Sequence, residues 1–140
     1  MKTILIIEDD SEVLFTLTSG FNAAGYAVIP KANVKAALSA LARGVQADLV
    51  VADDGLPGIK DKDPVTLLKQ MIPTVPVVLL SSEAPQGTYI QWVNGEVSDL
   101  IVKPVAIADA LAVVQRAIVQ ERGGWAVYFR RAMPKSAAYR

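Results

Sequence analysis

The chain contains no cysteine and no histidine. Without cysteine there are no disulfides, no thiolate metal sites and no cysteine nucleophile, a composition that fits a reducing compartment. Without histidine the commonest general base, the commonest zinc ligand and any phosphohistidine carrier role are excluded. Long apolar runs are also missing. None approaches the ~20 residues that span a bilayer, and the first predicted strand begins directly after Met1, leaving no room for a signal peptide. The expectation is a cytoplasmic protein with no membrane contact. Acidic side chains are absent from the C-terminal end: Gly123–Arg140 holds 4 basic and no acidic residues, whereas Met1–Arg122 holds 10 basic and 14 acidic ones. An acidic body neutralises few phosphates, so direct nucleic-acid binding is not expected.

What is present alternates in character. Five short apolar runs, Thr3–Ile7, Tyr26–Ile29, Leu49–Ala52, Val75–Leu80 and Leu100–Val102, are separated by segments of helical period. That is the pattern of βα units around a parallel sheet. Val13, Leu14, Leu17, Phe21 and Ala24 form one helical stripe, with Ser11 as predicted N-cap and Gly25 as stop. A second helix is predicted over Val34–Ala42 behind Asn33, and a third behind Asp63-Pro64, ending near Ile72-Pro73. A fourth falls within Ala84–Asn94, and a fifth spans Ile107–Arg122. One domain over residues 1–122 follows, with a short basic and aromatic tail over 123–140 and no output domain. In the tail, Trp125, Tyr128, Phe129 and Met133 share a helical stripe, which offers a contact to this domain, a twin or a partner.

In such a sheet the carboxyl ends of the strands share one edge, and ligands bind there. The first strand ends in Glu8-Asp9-Asp10, the third in Asp53-Asp54, the fourth in Ser81-Ser82 and the fifth in Lys103-Pro104. Converging carboxylates repel one another unless a cation neutralises them, and oxygen-only ligation favours a hard ion, Mg2+ above all. A carboxylate beside that ion can attack phosphorus while a lysine balances charge on the transferring oxygens. Asp53 is the candidate nucleophile, Lys103 the ammonium and Ser81 the hydroxyl. Asp10 reads as a helix-start acid, and Asp61, Asp63 and Ser82 read as loop and cap residues.

The segments Ile4–Asp10 (ILIIEDD), Asp48–Asp53 (DLVVAD) with Leu56-Pro57, Pro76–Ser81 (PVVLLS) and Lys103-Pro104 resemble the response-regulator receiver family of two-component signalling. The resemblance runs from about Lys2 to Arg122. It implies an α/β, flavodoxin-like, doubly wound five-stranded parallel sheet of order 2-1-3-4-5 with five helices. It also implies that Glu8, Asp9 and Asp53 hold Mg2+ with the Gly55 backbone carbonyl, that Asp53 is the phosphoacceptor, and that Ser81 and Lys103 complete the catalytic set. The implied partners are a sensor histidine kinase or phosphotransfer protein and a downstream protein. The surface of the fourth helix, fifth strand and fifth helix, or the tail, would serve output or a homodimer. The chain would catalyse its own phosphorylation and dephosphorylation rather than act as a stand-alone metabolic enzyme.

Several positions depart from the family pattern. Leu100 stands where the family's switch aromatic usually sits, so output coupling is expected to differ. Gly55 carries no side chain to orient an attacking water, which leaves Glu83 as the expected modulator of phosphoryl lifetime. The stretch Gly58–Asp63 is longer than the family's usual turn, implying a mobile active-site loop. Ala106 is a poor cap for the fifth helix, at a cost of about 1 kcal/mol. A receiver-like module that binds without being phosphorylated is the alternative. A haloacid-dehalogenase type of hydrolase would need an acid where Gly55 stands.

Overall fold

The computed structural model describes residues 1–82 and 95–119. Five strands, β1 (Thr3–Ile7), β2 (Ala27–Lys31), β3 (Leu49–Asp53), β4 (Val77–Ser81) and β5 (Asp99–Val102), form one parallel sheet of order β2-β1-β3-β4-β5. Helices α1 (Ser11–Ala23), α2 (Val34–Ala42) and α3 (Pro64–Met71) follow the first three strands. A last helix, α4 (107–119), corresponds to the helix predicted as fifth. The predicted helix within 84–94 and the tail over 123–140 lie outside the described residues. Among the described residues no helix is long and apolar enough to cross a membrane.

The strands alternate their side chains between two cores. Leu5, Ile7, Val50, Ala52, Val77 and Leu79 face α2 and α3, packing with Ala37, Val65 and Leu68. Ile4, Ile6, Leu49, Val51, Val78 and Leu80 face α1 and α4, packing with Leu17, Phe21, Ala110 and Val114. Burial on both faces is why the central strands read as unbroken apolar runs.

Helix boundaries follow from caps. Asn33 Oδ1 accepts from Ala36 N at 2.8 Å and starts α2 where the sequence predicts it. Asp63 stands at the N-cap position of α3 but makes no side-chain hydrogen bond to the helix backbone; its Oδ1 accepts from the Thr66 hydroxyl instead, and Pro64 is the first helical residue. For α1 the N-cap is Asp10 and not the predicted Ser11: Asp10 Oδ1 accepts from Glu12 N at 2.9 Å and Val13 N at 3.2 Å. Both residue types cap well, and the cap falls to Asp10 because the chain is still extended there, with φ −84° and ψ 113°.

Strand β2 runs two residues past its predicted end and includes Pro30, paired with Ile6. Proline fits because β2 is an edge strand. Ala27 N–H donates inward to Lys2 O at 2.9 Å. Alternation then turns the nitrogen of residue 30 outward, so no ladder bond is lost.

The loop after β3 is closed by a turn. Ile59 and Lys62 exchange backbone hydrogen bonds of 3.0 and 3.1 Å around Lys60, which has a positive φ of 59°. Gly58 lies against this turn: a Cβ there would sit 1.9 Å from the Lys62 carbonyl oxygen. The stretch over 58–63 is thus closed by a pair of backbone bonds. Gly58→Ala is expected to lower the unfolding free energy by about 1–3 kcal/mol. Gly55→Ala, whose added carbon meets only Asp53 carboxylate oxygens at 3.8 and 3.9 Å, should stay within about 0.5 kcal/mol of the parent. Urea unfolding of the two variants measures the difference.

Candidate functional site

Parallel pairing brings four strand ends to one rim. Glu8 follows β1 and remains in line with the sheet because its N–H donates to Lys31 O at 3.0 Å. Its side chain is fully buried, whereas Asp9 beside it is exposed. Asp10 then turns the chain into α1, and its own N–H donates to Glu8 Oε2 at 3.0 Å. One residue therefore caps the helix with its side chain and orients the buried carboxylate with its backbone.

Asp53 ends β3, partly buried, with Oδ1 accepting from Gly55 N at 3.2 Å. Ser81 ends β4 and is buried, one position beyond Leu80, which pairs with Asp53. Lys103 follows β5, and its N–H donates to Ser81 O at 2.9 Å. The peptide bond from Lys103 to Pro104 is cis. The Lys103 ammonium reaches back to lie 3.0 Å from Glu8 Oε1 and 3.5 Å from Asp53 Oδ2.

Ligand oxygens from Glu8, Asp9 and Asp53 all lie within 4.8 Å of one another. Two unit charges at that distance repel by about 3.5 kcal/mol at an effective dielectric constant of about 20. Three carboxylates face one ammonium, so the site keeps a deficit of positive charge. Glu8 Oε1 is buried with no hydrogen bond of good geometry, although the ammonium faces it. An oxygen-only donor set whose negative charge one ammonium does not balance suits a small hard divalent cation such as Mg2+.

The same crowding acts on protons. Burial pushes the Glu8 carboxyl above its ordinary value of 4.5; the Asp10 N–H and the Lys103 ammonium oppose that rise, and the Asp53 charge adds to it. For Lys103, burial would lower the pKa, but the adjoining Glu8 and Asp53 carboxylates outweigh it and the net direction is upward.

Residues 4–115 match the family described as "Response regulator receiver domain". The chain belongs to this family. Among curated proteins, the receiver is 29% identical over 123 residues to the transcriptional regulatory protein PrrA of Mycobacterium tuberculosis, covering 88% of this chain and 52% of PrrA. It is 26% identical over 115 residues to the DNA-binding transcriptional regulator NtrC of Salmonella typhimurium, covering 82% of this chain and 24% of NtrC. The chain thus spans about half the length of PrrA and a quarter of NtrC. Among solved structures, the signal receiver domain of an HD domain-containing protein from Pseudomonas fluorescens Pf-5 has the same fold, with a TM-score of 0.76 and 20% identity over 87% of this chain and 98% of that one.

The receiver fold gathers Glu8, Asp9, Asp53 and Lys103, the predicted site residues, around one point, with Ser81 on the same rim. Gly55 borders Asp53 through its N–H. Leu100 packs against the core on the α2 and α3 side of the sheet. Glu83 lies outside the described residues. The backbone role of Asp10 toward Glu8 was not foreseen, and its one sequence signal is adjacency to the acidic pair.

Because Glu8 holds its proton more tightly folded than unfolded, its contribution to stability falls as pH rises from about 4.5 through the raised pKa. In metal-free protein, the unfolding free energy of the parent minus that of Glu8→Gln is expected to decline across this window. Denaturant titrations at stepped pH measure it, and a constant difference would contradict the assignment.

Proposed function

We propose that this receiver accepts a phosphoryl group on Asp53 from the phosphohistidine of a sensor kinase or phosphotransfer protein and signals to a downstream protein by conformational change. The observation that carries this reading is the Lys103 ammonium lying between Glu8 Oε1 and Asp53 Oδ2, at 3.0 and 3.5 Å, beside three clustered carboxylates. Glu8, Asp9, Asp53 and the backbone carbonyl of Gly55 would hold Mg2+. When bound, that ion neutralises charge on the transferring phosphoryl oxygens.

The chain's own residues supply position and charge. An Asp53 carboxylate oxygen attacks phosphorus, the bond to the histidine nitrogen breaks, and the nitrogen keeps the electron pair. Gly55 N–H, on Asp53 Oδ1, fixes the carboxylate plane. The Lys103 ammonium donates to a phosphoryl oxygen as it arrives, and the Ser81 hydroxyl donates to another. Glu8 holds the ammonium over the site in the meantime. Hydrolysis of the acyl phosphate returns the receiver to its starting state, with Glu83 setting the pace. Such a chain modifies itself and turns over no metabolite.

The acidic body neutralises few phosphates, so this domain's own output contact is read as one with protein. The surface that includes β5 and α4, or the tail after residue 122, is the site of that contact or of a homodimer. The reading places the protein in the cytoplasm, where sensor kinases present their phosphohistidine.

Incubation with a small-molecule phosphodonor and Mg2+ is expected to add one phosphoryl mass to the parent and none to Asp53→Asn. Lys103→Ala should slow the reaction by about 10²-fold or more, the loss typical of a group that stabilises transition-state charge. A parent that neither gains mass nor binds beryllofluoride with Mg2+ would support a phosphorylation-independent binding module instead.

A further inference from the structure

Helices α1 and α4 touch at one unusually close point. A Cβ built on Gly20 would lie 2.3 Å from both Cδ1 and Cγ1 of Ile107 and 3.6 Å from its Cβ. The Ile107 side chain therefore occupies the notch that a missing side chain leaves in α1. Ile107 is the first residue of α4, four positions after Lys103. Gly20 is the tenth residue of α1, the helix whose cap Asp10 follows Glu8 and Asp9. The two helices that leave the charged rim are thus keyed together below it.

At its other end α4 is tied to the sheet. Arg116 Nη2 lies 3.3 Å from Asp99 Oδ2, and Asp99 is buried at the start of β5. One tie holds the far half of α4 and the notch holds its first turn. The segment from Lys103 to Ile107 thus runs between two fixed points, the Lys103 N–H on Ser81 O at 2.9 Å and the Ile107 side chain in the notch.

We propose that Gly20 is a positioning residue for Lys103, acting through the seat it provides for Ile107. A methyl at position 20 cannot be accommodated by turning the end of the side chain alone, because Cγ1 is as close as Cδ1. Moving Cγ1 requires a new χ1, and two heavy atoms on Cβ leave Ile107 few rotamers to choose from. The alternative is displacement of the first turn of α4, and with it the Lys103 segment. Seen from the sequence, Gly20 is only a weak helix former within the first helix.

The inference rests on the proposed phosphorylation of Asp53, and size-swapped variants separate the two. The parent, Gly20→Ala, Ile107→Ala and Gly20→Ala/Ile107→Ala are compared for phosphorylation rate at saturating small-molecule phosphodonor and Mg2+, for apparent donor KM and for Tm. Gly20→Ala is expected to lower the saturated rate at least tenfold with KM within twofold of the parent. Ile107→Ala, which empties the notch, should slow it at least threefold. The double variant should be faster than either single while its Tm stays below that of the parent, since it still lacks the partly buried Ile107 side chain. A role confined to stability would instead make rate and Tm fall together.

A Gly20→Ala protein with the parent's rate, or a double variant no faster than the slower single, overturns the inference and leaves the proposed function intact. If Gly20→Ala does not fold, the other proteins decide: equal rates for the parent and Ile107→Ala overturn it. A parent that takes up no phosphoryl group overturns both readings.

Discussion

A buried carboxylate must find a counter-charge, and in this receiver Glu8 finds it in the ammonium of a residue from the far side of the sheet. The order β2-β1-β3-β4-β5 places β5 two strands from β3 and three from β1, roughly 10 and 14 Å at usual strand spacing. Only a long side chain crosses the end of β4 to meet Glu8 and Asp53. The site is therefore a product of register. Slippage of β1, β3 or β5 by one residue would turn an acid or the lysine into the core.

The two apolar cores supply that register. Each strand gives alternate residues to each face, so every strand is gripped from both sides. The charged cluster sits where the strands end and the apolar pattern stops. Stability and chemistry are separated along the strands: their middles are fully committed to packing, and their carboxyl ends are free to hold groups that repel one another. Asp10 joins the two domains of effect, since one residue both terminates the unfilled N–H groups of α1 and directs a hydrogen bond at Glu8.

Much of this was legible in the sequence because it is local. The apolar runs of β1, β3 and β4 stand out without reference to the rest of the chain, and Asn33 announces α2 by residue type and position. The acids and the lysine at strand ends were legible once those strands were found, since a parallel sheet assembles its carboxyl ends whatever the loops do. What was not legible depends on contacts between distant residues or on competition between neighbours. Asp10 and Ser11 are both good caps, and only the backbone path decides between them. Gly58 reads as a turn residue, while its necessity comes from a carbonyl four positions on. The fit of Ile107 against Gly20 joins residues far apart in sequence, and no periodicity records it. Pro30 disguised the length of β2, because a proline argues against a strand until its neighbours show that the strand lies at the margin of the sheet.

That proline has a bearing on how these molecules behave together in solution. An edge strand normally presents an outward row of N–H donors, a template onto which another chain can add. In β2, the alternation set by Ala27 points the nitrogen of residue 30 away from β1, and a proline there has no hydrogen to give. The margin is interrupted in its donor series where a visiting strand would need continuity, which guards this side of the protein against sheet-to-sheet polymerisation.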